Sequence, residues 1–293
     1  MSIKIYTDAG SNLFPSVLKK INKEIKVVSM QLTIDEVAYR CYDDDIDPDQ
    51  FSREFYQKMR DNSNIYTSQV NPNDFIEAFK EDIAAGHQII CFTLAKGISG
   101  TYNSACLARD IINEEQGKEV VYVVDSATAG FGEGLQAIRA AELVKKGWDF
   151  EAIIKEAEEF KFKVRSEFTV GDIKYLIKKG RVSALVAKFI NMINIRFLLK
   201  GSVKSTIEVS GKVFGRKTAI RRLADTVVEK IKNPDDQIVY ISHCDVEEEA
   251  ISLKNYLIEK GIKNIKIYYY DLITGAHIGP DSIAIFYVGE NRD

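Results

Sequence analysis

Residues 88–94, Gln-Ile-Ile-Cys-Phe-Thr-Leu, form a short apolar run, and the polar hexapeptide Ser-Gly-Thr-Tyr-Asn-Ser follows at residues 99–104. An apolar run of this length predicts a buried strand. Residues 101–113 are predicted to form a helix after it. A strand that leads into a helix in this way is the unit from which parallel, helix-covered sheets are built.

The same alternation runs through the N-terminal part of the chain. The predicted strands cover residues 3–7, 27–34, 88–94 and 120–124. The predicted helices cover residues 13–22, 71–85, 101–113, 130–146 and 150–163, and a further helix begins near Pro48. We therefore expect residues 1–165 to form an α/β domain with a parallel sheet in a three-layer α/β/α arrangement.

The pattern changes in residues 166–293, where several strands are joined by short turns. Strands are predicted at residues 168–171, 195–199, 204–209, 212–214, 237–242, 264–270 and 283–288. Helices are predicted at residues 172–179, 184–191, 216–231 and 246–260. Neighbouring strands with short connections predict a C-terminal α+β domain with a mixed, partly antiparallel sheet.

Composition argues against several classes of function. The 293 residues carry 40 basic and 43 acidic side chains, a net charge of −3, and no basic stripe that would suit nucleic acid. The four cysteines lack a Cys-x-x-Cys spacing and the N-terminal residues read as a strand rather than a signal peptide, so a cytoplasmic location is expected. No apolar run is long enough to span a membrane.

No metal or other cofactor is expected. The three histidines lack metal-ligand spacing, and the acidic run at residues 43–49 lacks the glycine and glutamate of a calcium loop. That run is predicted to cap the helix near Pro48. The glycines at 130, 132 and 134 do not have the dinucleotide-binding spacing, and no acidic residue ends a following strand.

Ser99, Gly100 and Thr101 lie between a predicted strand and a predicted helix. Ser99 or Thr101 could cap the helix and do nothing else. Alternatively, their hydroxyls and the free amides of the first helical turn could bind an anion. Thr67, Ser68 and Gln69 precede another helix start and would offer a second set of donors. Uncharged donors of this kind suit a single carboxylate better than a polyphosphate.

His277 lies in a segment with two nearby glycines, Gly275 and Gly279, that is predicted to be a loop before the last strand. A lone histidine is either a structural residue or a ligand contact, and glycines favour contact because they permit close approach. A carboxylate beside the imidazole would favour its protonated form. A Ser99–His277 acyl hydrolase is a rival reading, although Thr101 stands where a nucleophile elbow requires glycine.

Five motifs in order resemble the DegV family of bacterial fatty-acid-binding proteins. They are Thr67-Ser68-Gln69, residues 97–105, Val123-Val124-Asp125-Ser126, Gly180-Arg181-Val182-Ser183 and His277-x-Gly-Pro. The resemblance implies two domains with a fatty acid buried in a tunnel between them. It further implies that Thr67, Ser99 and His277 hold the carboxylate, with Arg181 nearby.

Members of the FakB type present the fatty acid to a separate fatty acid kinase, and an acyltransferase then uses the acyl phosphate. By resemblance this chain would be a non-catalytic acyl carrier with those two partners, and a transient membrane contact would be compatible with that role. Two departures stand out: Ala95-Lys96-Gly97 replaces the usual Ser-Ser-Gly, and Asp281 replaces the usual glycine after His-x-Gly-Pro. An inward-facing Asp281 would weaken anion binding.

Two further expectations concern the tunnel and the partner. The apolar segment at residues 185–199 is either a wall of the tunnel or an ordinary core element. Arg216 and Lys217 begin a helix, where cations oppose the helix dipole, and Arg221 and Arg222 follow on the same helix. This basic cluster is either a solvated face or the surface that docks the kinase, and we expect Arg216 and Lys217 to make the kinase contact. The sequence also leaves open a binding protein for another carboxylate or lipid with no kinase partner.

Overall fold

The computed structural model describes residues 2–21, 24–42, 48–182 and 194–292. The strands are β1 (Ile3–Asp8), β2 (Ile25–Val28), β3 (Gln31–Ile34), β4 (Val37–Arg40), β5 (Ile65–Ser68), β6 (Gln88–Thr93), β7 (Val121–Asp125), β8 (Val164–Thr169), β9 (Ile195–Gly201), β10 (Ile207–Phe214), β11 (Val239–His243), β12 (Ile265–Tyr269) and β13 (Ile283–Val288). The helices are α1 (Pro15–Ile21), α2 (Pro48–Arg60), α3 (Pro72–Ala84), α4 (Thr101–Gln116), α5 (Phe131–Lys145), α6 (Phe150–Phe160), α7 (Lys174–Lys178), α8 (Arg216–Lys230), α9 (Glu247–Glu259) and α10 (Leu272–Ile278).

The predicted parallel sheet of the N-terminal part is confirmed. Its strand order is β2-β1-β6-β7, and every neighbouring pair is parallel. Helices α3 and α4 pack on one another and on β6, and α5 packs on β1 and β6. Residues 89–93 are completely buried, as expected for a central strand between helical layers.

A second, smaller sheet was missed by the sequence reading. The single strand predicted over residues 27–34 is in fact β2 and β3, and β3 lies between β4 and β5 in an antiparallel sheet. Asp35 and Glu36 connect β3 to β4 with φ values of 46° and 71°. A two-residue hairpin turn of that kind usually carries asparagine or glycine, so the turn gave no recognisable signal.

The C-terminal sheet is mixed, as predicted. Its strand order is β10-β9-β8-β13-β11-β12, with one parallel pair, β11 and β12, and antiparallel pairs elsewhere. The two strands predicted at 204–209 and 212–214 are one strand, β10, whose register shifts between Val209 and Gly211. The boundary at residues 165/166 stays a prediction, and β8 runs across it.

The two faces of the C-terminal sheet pack against different partners. Along β13, Ile283 and Ile285 pack with α8 and α9 in one apolar cluster. Ala284 and Phe286 face the other way and belong to the core shared with the parallel sheet, where Phe286 contacts Phe131 of α5. The alternation of a β-strand therefore places α8 and α9 on the face turned away from the N-terminal half.

Several sequence-based expectations fall outside the described residues. These are the acidic cap at residues 43–47, the helix at 184–191 and most of the apolar segment 185–199. Within the described ranges, no helix is long and apolar enough to cross a bilayer. The same part of the chain holds no cluster of three histidine, cysteine or acidic side chains suited to a metal ion.

Candidate functional site

A cavity of about 190 Å³ lies where the small antiparallel sheet, the β6–α4 loop, α7, β10 and α10 meet. Its lining residues are Met30, Thr67, Gln69, Leu94, Ile98, Ser99, Gly100, Leu176, Arg181, Ile207, Ile273, Thr274, His277 and Ile278. The lining thus combines six polar side chains with seven apolar ones and one glycine. That composition is typical of sites that hold an apolar ligand by one polar end.

Ser99 and Gly100 reach the cavity from the start of α4. Gly100 is the N-cap residue and offers no side-chain cap. The Thr101 amide instead donates to Ser99 Oγ over 3.2 Å, and Ser99 Oγ donates to Thr101 Oγ1 over 2.9 Å. Ser99 therefore satisfies one amide at the helix start, although it is not the N-cap residue, and it also lines the cavity.

His277 lies in helix α10 and not in the loop that its glycines suggested. Asp271 begins the helix, since its Oδ1 accepts a hydrogen bond from the Thr274 amide over 2.6 Å. Gly275 inside the helix is explained by packing: a Cβ there would lie 2.3 Å from the Tyr56 hydroxyl oxygen. The glycine thus reflects close contact with α2, and the helix aims His277 at the cavity.

Thr67 and His277 are brought into direct contact. Thr67 Oγ1 lies 2.9 Å from His277 Nε2, while His277 Nδ1 is buried without a hydrogen-bond partner. Burial lowers the pKa of His277 to about 4, and the positive charges of Arg181 and Lys179 add to this effect. The imidazole is therefore neutral at pH 7 in the ligand-free protein.

Arg181 supplies positive charge to the cavity without a described carboxylate partner. Its guanidinium donates to the Lys179 carbonyl over 2.8 Å, and Lys179 Nζ donates to the Ile65 carbonyl over 3.0 Å. Burial lowers the pKa of Lys179, and the neighbouring cations Lys178 and Arg181 lower it further. An anion in the cavity would relieve this unfavourable concentration of like charge.

Two of the residues expected at the site do not line the cavity. Ser68 is exposed on the side of β5 opposite to Thr67, because side chains alternate along a strand. Thr101 is fully buried beneath Ser99. Asp281 also points elsewhere: its carboxylate pairs with Arg60 over 2.8 Å, and its side chain is half exposed.

Gln69 of the Thr67-Ser68-Gln69 motif also lines the cavity, as does Thr274, which the sequence analysis did not single out. Nothing in the sequence pattern marks Thr274, because its helix contains Gly275 and ends at Gly279 and so resembles a loop. A smaller apolar cavity of about 40 Å³ adjoins the first. The two share the lining residues Ile98, Ile207, Thr274 and Ile278.

Arg216 and Lys217 lie away from the cavity at the start of α8. Arg216 donates three hydrogen bonds to the carboxylate of Glu249 in α9, the shortest of 2.6 Å. That ion pair gives Arg216 a structural role which the helix-dipole argument did not foresee. Lys217 is exposed. Both residues lie on the side of the C-terminal sheet that faces away from the N-terminal half.

The parallel sheet, the mixed sheet and the small antiparallel sheet define an α/β protein with a partly polar cavity. The chain belongs to the DegV family, because the family model described as "Uncharacterised protein, DegV family" matches residues 2–290. A DegV domain-containing protein of Clostridium perfringens is 31% identical over 290 residues, which cover 99% of this chain and 98% of that protein.

Solved structures share the fold over its whole length. A DegV family protein of Ruminococcus gnavus with vaccenic acid is 26% identical, with a TM-score of 0.83 and coverage of 98% of this chain and 99% of that one. The fatty acid kinase (Fak) B3 protein of Streptococcus pneumoniae, loaded with linoleic acid, has a TM-score of 0.82. It is 22% identical and covers 99% of this chain and 100% of that one, so it supports the fold alone.

Proposed function

We propose that this protein binds a long-chain fatty acid, with the carboxylate at Thr67, Ser99 and His277. The observation that carries the proposal is the meeting of two hydroxyls, an imidazole and the Arg181 guanidinium at one cavity whose remaining lining is largely aliphatic. Membership of a family with a member solved with vaccenic acid supports the same ligand class.

The polar residues would fix the orientation of the ligand, and the chain would supply most of the affinity. Burial of a methylene group contributes about 0.8 kcal/mol, so ~14 methylenes gain roughly 11 kcal/mol before the costs of binding. The adjoining apolar cavity beyond Ile98, Ile207 and Ile278 offers a path for the chain. The aliphatic lining and the family together favour a fatty acid over a small polar carboxylate.

The bound carboxylate would be the substrate of a separate fatty acid kinase. In that step a carboxylate oxygen bonds to the γ-phosphorus of a nucleoside triphosphate, and the diphosphate leaves. An acyltransferase would then consume the acyl phosphate. The four free cysteines, Cys41, Cys91, Cys106 and Cys244, fit a reducing cytoplasm as the place of this reaction. We keep Arg216 and Lys217 as the proposed kinase contact.

The geometry favours a carrier over a Ser99–His277 hydrolase. Ser99 Oγ donates to Thr101 and His277 Nε2 contacts Thr67, so the two residues do not form a nucleophile–base pair. Asp281, the nearby carboxylate, is held by Arg60. A nucleophilic serine needs a base within hydrogen-bonding reach and a group that orients the base.

Organic extraction and mass spectrometry of the purified protein test the proposal. We expect a long-chain fatty acid in near-stoichiometric amount, since burial of the acyl chain against the apolar lining residues favours binding. Protein that yields no acyl chain in repeated preparations, and that does not bind added oleic acid, would overturn it. Incubation with a fatty acid kinase and ATP then separates a kinase-linked carrier from a binding protein for another purpose.

A further inference from the structure

Gln69 bridges two elements that carry the proposed head-group donors. It directly follows β5, the strand of Thr67, and its Nε2 donates to Ser104 Oγ of α4 over 3.1 Å. Although Gln69 is exposed, Ser104 is buried, with 3% of its surface accessible. The carboxamide therefore lies across the first turn of α4, beside Ser99 and Gly100.

The glycine at position 100 is explained by this contact. Gly100 has a φ of −76°, which any residue can adopt, so backbone conformation does not require glycine. A Cβ at position 100, however, would lie 1.9 Å from Gln69 Oε1. Gly100 is thus the residue that allows the Gln69 carboxamide to lie flat against the start of α4.

We propose that Gln69 is a positioning residue of the head-group site, which ties the strand carrying Thr67 to the helix start carrying Ser99. The inference rests on the proposed function. Thr67 belongs to the small antiparallel sheet, and Ser99 follows a strand of the parallel sheet. No backbone ladder joins β5 to α4, and the hydrogen bond from Gln69 to Ser104 is a side-chain contact that joins them next to the two hydroxyls.

A carboxylate needs both hydroxyls at the correct separation, whereas an alcohol of the same chain length places fewer demands on them. The Gln69–Ser104 contact should therefore determine how strongly the protein prefers a fatty acid to a fatty alcohol. A purely structural residue would change the binding of both ligands together. This difference gives a readout that general destabilisation does not mimic.

The experiment compares the affinities of oleic acid and oleyl alcohol, measured by displacement of a fluorescent fatty acid. Gln69→Leu, Ser104→Ala and the double variant are compared with the parent, and Gln57→Leu is the matched control. Gln57 is an exposed glutamine whose amide donates to Asp61, away from the cavity. Gly100→Ala should also break the Gln69–Ser104 hydrogen bond, since the added methyl group would displace the Gln69 carboxamide.

We expect Gln69→Leu to lower the affinity for oleic acid about fivefold, the equivalent of one hydrogen bond. The affinity for oleyl alcohol should stay within about twofold of the parent's. The double variant should be no weaker than either single variant, because both remove the same contact. The positioning role is overturned if Gln69→Leu keeps the parent's preference for oleic acid over oleyl alcohol, or if its affinity for both ligands falls equally. A parent that binds neither ligand overturns the proposed function itself.

Discussion

Thr67 Oγ1 and His277 Nε2 lie 2.9 Å apart, although 210 positions separate them in the sequence. A neutral imidazole carries one N–H, and Nε2 is the nitrogen with a partner, since Nδ1 is buried without one. With the proton on Nε2, Thr67 Oγ1 accepts from His277 and its own hydroxyl proton remains available to the cavity. The pair thus presents a donor to an incoming carboxylate.

Fatty acid binding should be linked to protonation of His277. The pKa of His277 is about 4 in the free protein, because burial disfavours the charged imidazole. A carboxylate at hydrogen-bonding distance raises that pKa, so binding at pH 5 to 6 should take up protons. Calorimetric titration in buffers of different ionisation enthalpy measures the uptake.

The His277→Ala variant should take up fewer protons on binding than the parent, because it lacks the imidazole. Protons taken up by the fatty acid itself are common to both proteins, so the difference between the two reports His277 alone. His87→Ala is the matched control, since His87 contacts Ser2 far from the cavity. Equal uptake in the His277 variant and the parent would place the titrating group elsewhere.

Ser99 should matter for the ligand and Ser68 should not. We expect Ser99→Ala to weaken oleic acid by about 1–3 kcal/mol, the usual range for a hydrogen bond to a charged group. Ser68 lies outside the lining of the cavity, so Ser68→Ala should match the parent. Displacement titration measures both. Equal affinities for the two variants would remove Ser99 from the head-group site.

Asp281 should have little influence on the bound carboxylate, despite its place next to Pro280. Its side chain is 53% exposed and pairs with Arg60, so its charge is screened by water and by that guanidinium. Asp281→Asn keeps a side chain that tolerates the φ of 61°. We expect unchanged oleic acid affinity at low and high salt, and a stability change below about 1 kcal/mol. Tighter binding in the variant would show that Asp281 opposes the ligand.

Glu133 should reduce stability as the pH rises. It is fully buried, and burial followed by the charge of Asp8 raises its pKa well above the ordinary value. Burial also raises the pKa of Asp8 to about 6. The native state therefore holds more protons than the unfolded state, and stability falls from the unfolded pKa of these carboxyl groups upward.

Glu133→Gln keeps an oxygen to accept the hydrogen bond from the Asp8 amide but cannot ionise. We expect the free energy of unfolding of the variant, measured by denaturant titration, to fall less between pH 5 and pH 8 than that of the parent. Glu115→Gln, at an exposed position of α4, serves as control. If the free energy of unfolding of Glu133→Gln changes with pH as steeply as that of the parent, the titrating group is not Glu133.

Lys217 gives a cleaner test of the kinase contact than Arg216. Arg216→Ala would break the ion pair with Glu249 as well as any contact with the partner. We expect Lys217→Ala to keep its fatty acid and to be phosphorylated several-fold more slowly at low salt, since exposed charges act on association rates. Lys118→Ala is the control. If Lys217→Ala is phosphorylated at the parent's rate, the kinase docks at another surface, and the face that carries the cavity is the next candidate.

Local sequence patterns determined the regular elements of this protein. The apolar runs at residues 88–94 and 283–288 predict buried strands, because a strand that is buried on both faces needs consecutive apolar residues. The hydroxyl motif at Ser99 was readable as a helix start with free donors. The family resemblance then supplied the grouping of Thr67, Ser99 and His277, which spacing alone could not provide.

Tertiary structure decided the features that depend on contacts between distant segments. The turn at Asp35 and Glu36 is held by the pairing of β3 with β4 and β5, and by the Asp35 carboxylate, which accepts a hydrogen bond from the distant Asn64 amide. The helix of His277 forms around a glycine that packing on Tyr56 requires. The contacts of Asp281 with Arg60 and of Gln69 with Ser104 are decided by the folded chain alone. In each pair the two residues are far apart in the sequence, so local patterns cannot predict the contact.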